Sequence, residues 1–447
     1  MIFLFALNID KMRKVLLFLL LLPVMVSGQV IETIAGTGTG GYSGDGGSCI
    51  SAEFLHPAVV RFDGLGNMYV ADELNFVVRK IDASGTITTV AGTHVNGYSG
   101  DGGPATNAML RHATDLAFDT AGNLYIASFG SIRKVNAAGI ISTIVGTGIQ
   151  GISGDDGPAT SIQINDPLGL TFDADGNLYF SDFGTYCIRK ISIAGIMTTV
   201  GGNGLLGESG DNGPATLAQM GDVGVITLDH AGNIYLPDYN HRIRKIDAVT
   251  GIITTIAGTG ANSYTGDGAP ASAATFIEPF ALQFDSEGNL YVADAGAFVI
   301  RKINSLGIIT TVAGSGTFGY SGDGEPATDA QFGDFAYCSA IDQFGNLYIA
   351  DAGNNRIRRI VYDEAAVNNV NKATNNVQIY PNPATNELTI KSAGEIEGVE
   401  VMNMMGQVVV TSQNSKQKEV VLDIRSLPAG VYFVKVNGAH GGRFVKE

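Results

Sequence analysis

Gly345-Asn346-Leu347-Tyr348 is one copy of a tetrapeptide, Gly-Asn-(Leu/Met/Ile)-Tyr, that decides the fold of this chain. The tetrapeptide occurs six times, with its tyrosine at positions 69, 125, 179, 235, 291 and 348. A second motif, (Ser/Thr)-Gly-Asp, recurs with its aspartate at positions 45, 101, 155, 211, 267 and 323. Both motifs step by 54 to 57 residues, and a fixed period of this kind is the mark of a repeat protein. The chain therefore contains six copies of one unit.

Each unit has the pattern of four short strands. In the second unit, an apolar stretch at residues 115–118 is followed by an Asp-x-x-Gly-Asn turn and a second strand at residues 123–127. The turn glycine allows the positive φ that a tight hairpin requires. A third strand carries Ile-Arg-Lys, and a fourth has the pattern Gly-Ile-Ile-Thr-Thr-Val-Ala-Gly. Four-stranded antiparallel units repeated around an axis form a β-propeller, so the sequence predicts an all-β chain with six blades.

The two ends of the repeat region predict how this propeller closes. The sixth unit passes from residues 356–360 into a polar segment without a fourth strand, whereas residues 30–36 have the fourth-strand pattern and precede the first unit. Pairing these two segments would complete the sixth blade and would cover an exposed strand edge. We therefore expect an N-terminal strand to close the ring.

The segments outside the repeats predict an exported protein with a second domain. Residues 1–28 combine a basic region, a short apolar run containing Pro23 and the small residues Val26-Ser27-Gly28, which is typical of a cleaved signal peptide. The run is too short for a membrane-spanning helix, so the mature protein is expected to have no transmembrane segment. Residues 363–376 are polar and Asn-rich and predict a linker. Residues 377–447 contain alternating apolar stretches separated by Gly, Asn and Pro, which predict a small Ig-like β-sandwich.

Both domains resemble known families. Residues 29–362 resemble NHL repeats, most clearly at residues 351–358, and this resemblance implies a six-bladed propeller. Residues 377–447 resemble the type A C-terminal sorting domain of the type IX secretion system, through Tyr380-Pro381-Asn382-Pro383, residues 427–432 and the tail at residues 443–446. This second resemblance implies contact with the type IX machinery and a protein that is extracellular or attached to the outer-membrane surface. A carbohydrate-binding or fibronectin-like sandwich is the alternative, although the chain has no Trp for stacking on sugars.

One position in each unit defines a candidate site. It lies six residues before the end of the first strand, with one extra residue in the sixth unit, and should bring one side chain per blade to the mouth of the central channel on the face of the long loops. These six residues, called the ring residues because they would surround the channel mouth, are His56, His112, Asp166, Asp222, Glu278 and Asp334. Imidazole and carboxylate suit a divalent cation such as Ca²⁺ or Zn²⁺, and a cationic ligand would also offset their like charges. A polar, water-filled channel mouth is the alternative.

Other conspicuous residues have structural interpretations. The aspartates that recur in every unit are expected to cap turns, and Asp173, which begins a segment similar to a calcium loop, lacks the loop's final Glu. The aspartates after the second strand, such as Asp72, are expected to pair with the arginine of the third strand, such as Arg79. The three cysteines are too far apart for a metal motif and are predicted to be small buried residues: Cys49, Cys187 and Cys338.

The net charge and the motifs reduce the number of functions that the chain could have. A net charge of −16 argues against nucleic acid as a partner. The sequence favours a secreted or cell-surface module whose long-loop face binds a protein or glycan ligand. The alternative is a metal-dependent lyase or lactonase-like hydrolase with its site at the channel mouth. NHL-like enzymes resemble one another in having several His ligands, and here only two of the six ring positions are His.

Overall fold

Six four-stranded antiparallel sheets follow one another in the computed structural model, which describes residues 29–342, 344–362, 377–403, 407–437 and 439–446. The predicted signal peptide, residues 1–28, and the predicted linker, residues 363–376, lie outside these ranges. Each sheet is one blade, and the first strand of each contacts the first strands of its neighbours around the axis. The predicted six-bladed propeller is confirmed.

The propeller strands match the four-strand pattern of the repeat. Their bounds are, in chain order, β1 (Gln29–Ala35), β2 (Pro57–Phe62), β3 (Met68–Asp72), β4 (Val77–Ile81), β5 (Ile87–Ala91), β6 (Ala113–Phe118), β7 (Leu124–Ser128), β8 (Ser131–Val135), β9 (Ile141–Gly146), β10 (Asp166–Phe172), β11 (Leu178–Phe183), β12 (Cys187–Ile191), β13 (Met197–Gly201), β14 (Thr227–Leu228), β15 (Ile234–Asp238), β16 (Arg242–Ile246), β17 (Ile253–Ala257), β18 (Pro279–Phe284), β19 (Leu290–Asp294), β20 (Val299–Ile303), β21 (Ile309–Ala313), β22 (Ala336–Ile341), β23 (Leu347–Asp351) and β24 (Arg356–Tyr362).

The N-terminal strand closes the ring, as the sequence predicts. Strand β1 pairs antiparallel with β24, from Gln29 opposite Tyr362 to Ala35 opposite Ile357, and completes the sheet β1-β24-β23-β22. A buried ion pair between Glu32 and Arg359 joins the same two strands. The edge of β24 is therefore covered by the other end of the propeller domain.

Local hydrogen bonds explain why the hairpin motif repeats. Asp119 accepts the backbone N–H groups of Ala121 and Asn123 through Oδ1, and its Oδ2 accepts from the side chains of Asn123 and Tyr125. The tyrosine ring then packs edge-on against a phenylalanine of the next blade, with 4.9 Å between the ring centroids of Tyr125 and Phe172. The predicted capping role of these aspartates is confirmed, including that of Asp173. One motif thus sets the turn and the contact between blades.

The arginine of the third strand pairs with the second-strand aspartate, as predicted, and makes a shorter contact with the long loop. Arg79 Nη2 lies 2.6 Å from Asp45 of the long loop and its Nη1 is 3.5 Å from Asp72. Asp72 also accepts the backbone N–H of Leu55 and the side-chain amide of Asn75. The strand register explains the longer distance to Asp72, because Arg79 lies opposite Val70, two residues before Asp72. The predicted pairing within the blade is therefore confirmed. Asp45, which was expected to cap a turn, instead accepts Arg79 and the backbone N–H of Thr89 and so ties the long loop to the blade.

Short 3₁₀ helices shape the face on which the long loops lie. In the long loops they span Cys49–Ser51, Ala105–Asn107, Ala159–Ser161, Ala215–Leu217, Ala271–Ala273 and Ala327–Asp329. Others follow second strands, at Glu73–Asn75, Ala295–Ala297 and Ala352–Asn354. Each long-loop helix buries its first residue, which is alanine or, in the first unit, Cys49. Cys49 and Cys187 are buried as predicted, and the Cys338 side chain lies outside the described part of the chain.

The C-terminal domain is a strongly bent five-stranded sheet. Its strands are β25 (Gln378–Tyr380), β26 (Glu387–Met402), β27 (Val408–Asp423), β28 (Gly430–Val436) and β29 (Ala439–Lys446). The order is β25-β26-β28-β29, with β27 paired to β26, and a bridge from Ala384 to Lys446 brings the ends together into a nearly closed sandwich. Phe433 packs into the core cluster of the closing blade, with its ring centroid 4.3 Å from the Arg359 guanidinium. Within the described ranges, no helix is long and apolar enough to cross a membrane.

Candidate functional site

The residue that ends each second strand holds the chain as it enters the inner strand. In the first blade, Asp72 Oδ1 accepts the N–H of Leu55, the residue before His56, at 2.8 Å. The same bond holds Asn165, Gly221, Ile277 and Gly333 to their blade's aspartate. In the second blade, Ser128 donates its hydroxyl to the carbonyl of Arg111 instead. The predicted ring position therefore has a fixed backbone, while its side chain is free to differ between blades.

A partly enclosed cavity of about 340 Å³ lies at the channel mouth on this face. Three of the six predicted ring residues line it, namely His56, Asp166 and Glu278. The residues that directly follow the second-strand aspartates add Glu73, Phe183 and Tyr239. Every blade contributes to the remaining wall, through Ala58, Thr114, Leu168, Val225, Phe280, Phe335 and Tyr337.

A glutamate that the sequence analysis did not select joins the two predicted histidines. His56 Nδ1 lies 2.7 Å from Glu73 Oε2, and His112 Nδ1 lies 3.1 Å from Glu73 Oε1. Burial acts to raise the pKa of Glu73, but hydrogen bonds from His112 and His56 outweigh it and leave this pKa below its usual value. His112 also stacks on Phe129, with ring centroids 4.6 Å apart. Glu73 is thus held as a carboxylate at the edge of the cavity.

Asp166 has no such support. Its Oδ1 is buried and, in the described part of the chain, has no hydrogen-bond partner. Burial, followed by the negative charges of Glu73 and Asp182, raises the pKa of Asp166 to about 8. Removing a carboxylate from water without a compensating partner disfavours its charged form. Asp166 is therefore the least satisfied acid at the channel mouth.

The remaining ring residues have separate surroundings. Glu278 Oε1 accepts the hydroxyl of Tyr239 at 2.7 Å, and burial followed by this hydrogen bond raises the pKa of Tyr239. Asp222 accepts the backbone N–H of Gly184 at 3.1 Å and does not line the cavity, and burial raises its pKa. Asp334 is exposed, and its neighbour Phe335, at a φ of 57°, lines the cavity in its place. The extra residue of the sixth unit thus brings an aromatic ring rather than a carboxylate to the mouth.

Aromatic rings form much of the opposite wall. Phe280 and Tyr337 stack with centroids 4.7 Å apart, and Phe183 and Tyr239 meet edge to face at 5.8 Å. Sequence analysis missed Glu73, Phe183 and Tyr239, although one aligned position holds all three. This position directly follows the last residue of the second-strand motif and is Glu73, Phe129, Phe183, Tyr239, Ala295 and Ala352 in the six units. Its variation in size and charge was the signal that could have found them.

The six predicted ring residues do not converge on one point. Within the described ranges, no group of three or more His, Cys, Asp and Glu side chains has the arrangement to hold a metal ion. The pair formed by His56 and His112 shares Glu73, while Asp222 and Asp334 lie outside the cavity lining. Binding of Ca²⁺ or Zn²⁺ here stays a prediction, as does the alternative of a metal-dependent lyase or lactonase-like hydrolase.

Comparison with known proteins finds relatives of both domains. Residues 378–446 match the family described as "Secretion system C-terminal sorting domain", and residues 95–153 match the family described as "Teneurin NHL domain". SUPPRESSOR OF QUENCHING 1 of Arabidopsis thaliana is 30% identical over 275 residues, which are 58% of this chain and 26% of that protein. Human NHL repeat-containing protein 2 is 28% identical over 321 residues, 64% of this chain and 43% of that protein. The chain thus spans less than half the length of these curated relatives.

A solved structure shares the propeller fold. An auxiliary nutrient binding protein from Bacteroides ovatus superposes with a TM-score of 0.55 at 17% identity, over 75% of this chain and 77% of that one. This likeness concerns the fold alone. Together with the family matches and the sixfold repeat, it identifies the chain as an NHL-repeat six-bladed β-propeller protein whose C-terminal type IX sorting domain directs its export to the cell surface or the extracellular space.

Proposed function

We propose that the propeller is an exported binding module that takes its ligand, or one group of a larger protein or glycan ligand, into the cavity on its long-loop face. The observation that carries the proposal is the cavity itself, which is built from all six blades and is lined by both carboxyl and aromatic side chains. Its volume of about 340 Å³ falls in the range of sites for small molecules. One side chain or one sugar unit would fill most of it.

The position of the cavity within the fold also supports binding. A regular scaffold with variable side chains on one face is how repeat proteins usually recognise ligands. The hairpins on the opposite face are short and are occupied by their own Asp–Asn hydrogen bonds. One structure that shares the fold is described as an auxiliary nutrient binding protein, which agrees with a binding role for an exported propeller.

The test is a ligand screen on the full chain by thermal unfolding. A panel of amines, peptides, oligosaccharides and divalent cations is added, since a ligand at 100 times its Kd stabilises the native state by about 2.7 kcal/mol. A hit is then repeated on Ala58→Phe, which fills the cavity from the inner strand, and on Ala174→Phe, a matched change on an exposed hairpin of the opposite face. We expect the shift to persist in Ala174→Phe and to be lost in Ala58→Phe. A panel without any hit, or a hit that Ala58→Phe leaves unchanged, would contradict the proposal.

A further inference from the structure

We propose that the cavity binds an organic ammonium ion, a primary amine on an apolar or aromatic body whose N–H groups donate to Asp166. This inference rests on the proposed binding function and names the chemical class of the ligand. Two independent features of the wall support it: an excess of carboxyl groups, of which one has an unsatisfied oxygen, and a set of aromatic faces.

The carboxyl groups of the cavity favour the binding of a cation that carries hydrogen-bond donors. Glu73, Asp166 and Glu278 line the wall, and the described lining residues include no Lys or Arg. Glu73 is bonded to two histidines, and Glu278 accepts from Tyr239. The buried Asp166 Oδ1 has no partner among the described residues, and leaving such a group unpaired carries a free-energy cost. A ligand N–H would remove that cost, and its positive charge would offset that of the carboxylates.

The aromatic side chains determine what carries the ammonium group. Phe183, Tyr239, Phe280 and Tyr337 lie on the wall in edge-to-face and stacked pairs. Their rings offer apolar surface to a hydrocarbon or aromatic body, and their faces attract a cation held within about 6 Å. Leu168 and Val225 extend the apolar surface. An amine with an apolar body therefore matches both parts of the cavity.

Two other ligand classes match less well. A bare divalent cation needs several ligands around one point, and no group of His, Cys, Asp and Glu in the described part of the chain has that arrangement. A neutral polyol could donate to Asp166 but would bring no positive charge to a cavity whose described lining has three carboxyl groups and no Lys or Arg. Calcium chloride and glucose therefore serve as the opposing arms of the experiment.

The experiment is a calorimetric titration of the full chain with phenethylamine and with 2-phenylethanol, which has the same body and a neutral hydroxyl. We expect phenethylamine to bind at least about tenfold more tightly, because a charge-assisted hydrogen bond is stronger than one between neutral groups. Asp166→Asn should remove this preference by lowering the affinity for phenethylamine more than that for 2-phenylethanol. The matched control Asp175→Asn, on an exposed hairpin of the same blade, should behave as the wild type. Thermal unfolding of each variant checks that it is folded.

The outcomes separate this inference from the function on which it rests. Equal affinities for the two probes, or an Asp166→Asn variant that retains the preference, would overturn the ammonium assignment. Binding of calcium or glucose with neither aromatic probe, if blocked by Ala58→Phe, overturns the ammonium assignment and leaves the proposed function standing. A further titration with Nα-acetyl-lysine methylamide identifies the source of the cation: tighter binding than phenethylamine supports ammonium recognition and points to a peptide side chain, and weaker binding points to a small amine.

Discussion

Asp166→Asn should make the protein more stable at neutral pH. Asp166 lines the cavity, its Oδ1 is buried and has no hydrogen-bond partner among the described residues, and its pKa is raised to about 8 from 3.8 by burial and by the charges of Glu73 and Asp182. Asparagine has the same shape and does not ionise. The substitution therefore removes the free-energy cost of protonating Asp166, or of burying its charge, when the chain folds.

The sign and size of the change in stability follow from the pKa values of Asp166 in the folded and in the unfolded chain. Because the pKa is higher in the folded than in the unfolded chain, the wild type loses no stability below pH 3.8 and loses it progressively as the pH rises to about 8. The slope in this window is about 1.4 kcal/mol per pH unit. At pH 7 the substitution should therefore stabilise the fold by on the order of 2 to 4 kcal/mol, and above pH 8 the gain should stay constant.

The assay is urea unfolding followed by far-UV circular dichroism at several pH values, since the chain has no Trp for fluorescence. The free energies of unfolding of wild type and Asp166→Asn should coincide near pH 3.5 to 4 and diverge as the pH rises. Asp101→Asn is the control of opposite sign, because hydrogen bonds from Thr143 and Arg133 outweigh burial and lower the pKa of Asp101. A difference that is independent of pH, or an Asp166→Asn variant less stable than the wild type at pH 7, would refute the reasoning.

Three further predictions concern the neighbours of the site and the scaffold. Glu73→Gln should lower the pKa of Asp166, because the charge of Glu73 is the next cause of its elevation after burial, and the titration of the Asp166 carboxyl carbon by NMR would report it. Arg244→Met should destabilise the propeller by about 3 kcal/mol or more in urea, because it removes the arginine donor of the buried Asp238 Oδ2, of Asp211 and of two loop carbonyls. Arg242→Met, whose partner Glu208 is exposed, should cost less than about 1 kcal/mol. Deleting residues 29–35 should expose the edge of β24 and give oligomers in size-exclusion chromatography, and a monomeric product with wild-type stability would contradict the closure.

Sequence was sufficient for the fold because its signals are local and occur six times. The turn between β6 and β7 needs only Asp119, a glycine and Asn123, because the hydrogen bonds that form it join residues no more than four apart. Closure was predictable for a similar reason, since one missing strand and one surplus strand stand at the two ends of the repeat. Neither inference depends on how side chains pack.

The candidate site was only partly predictable because its residues come together across blades. A backbone hydrogen bond to the second-strand aspartate recurs at the entrance to the inner strand in five blades, so His56, Asp166 and Glu278 were found from spacing alone. Glu73 contacts histidines of two different blades, and no spacing within one unit indicates such a bridge. The single extra residue of the sixth unit places Phe335 rather than Asp334 at the cavity wall, which the spacing of the other units does not indicate.

The difference between the two kinds of aspartate separates scaffold from site. Asp45, Asp72 and Asp119 each accept several hydrogen bonds from their own blade, although burial still raises the pKa of Asp72 to about 7. Asp166 is buried beside two other acids and retains an unpaired oxygen, an arrangement that opposes folding at neutral pH. Groups of this kind concentrate at functional sites, where stability is lost in exchange for binding. Suppose that Asp166→Asn is both more stable than the wild type and unable to distinguish an amine from its alcohol. The same carboxyl group then accounts for both effects, and the ligand supplies the hydrogen bond that its Oδ1 lacks.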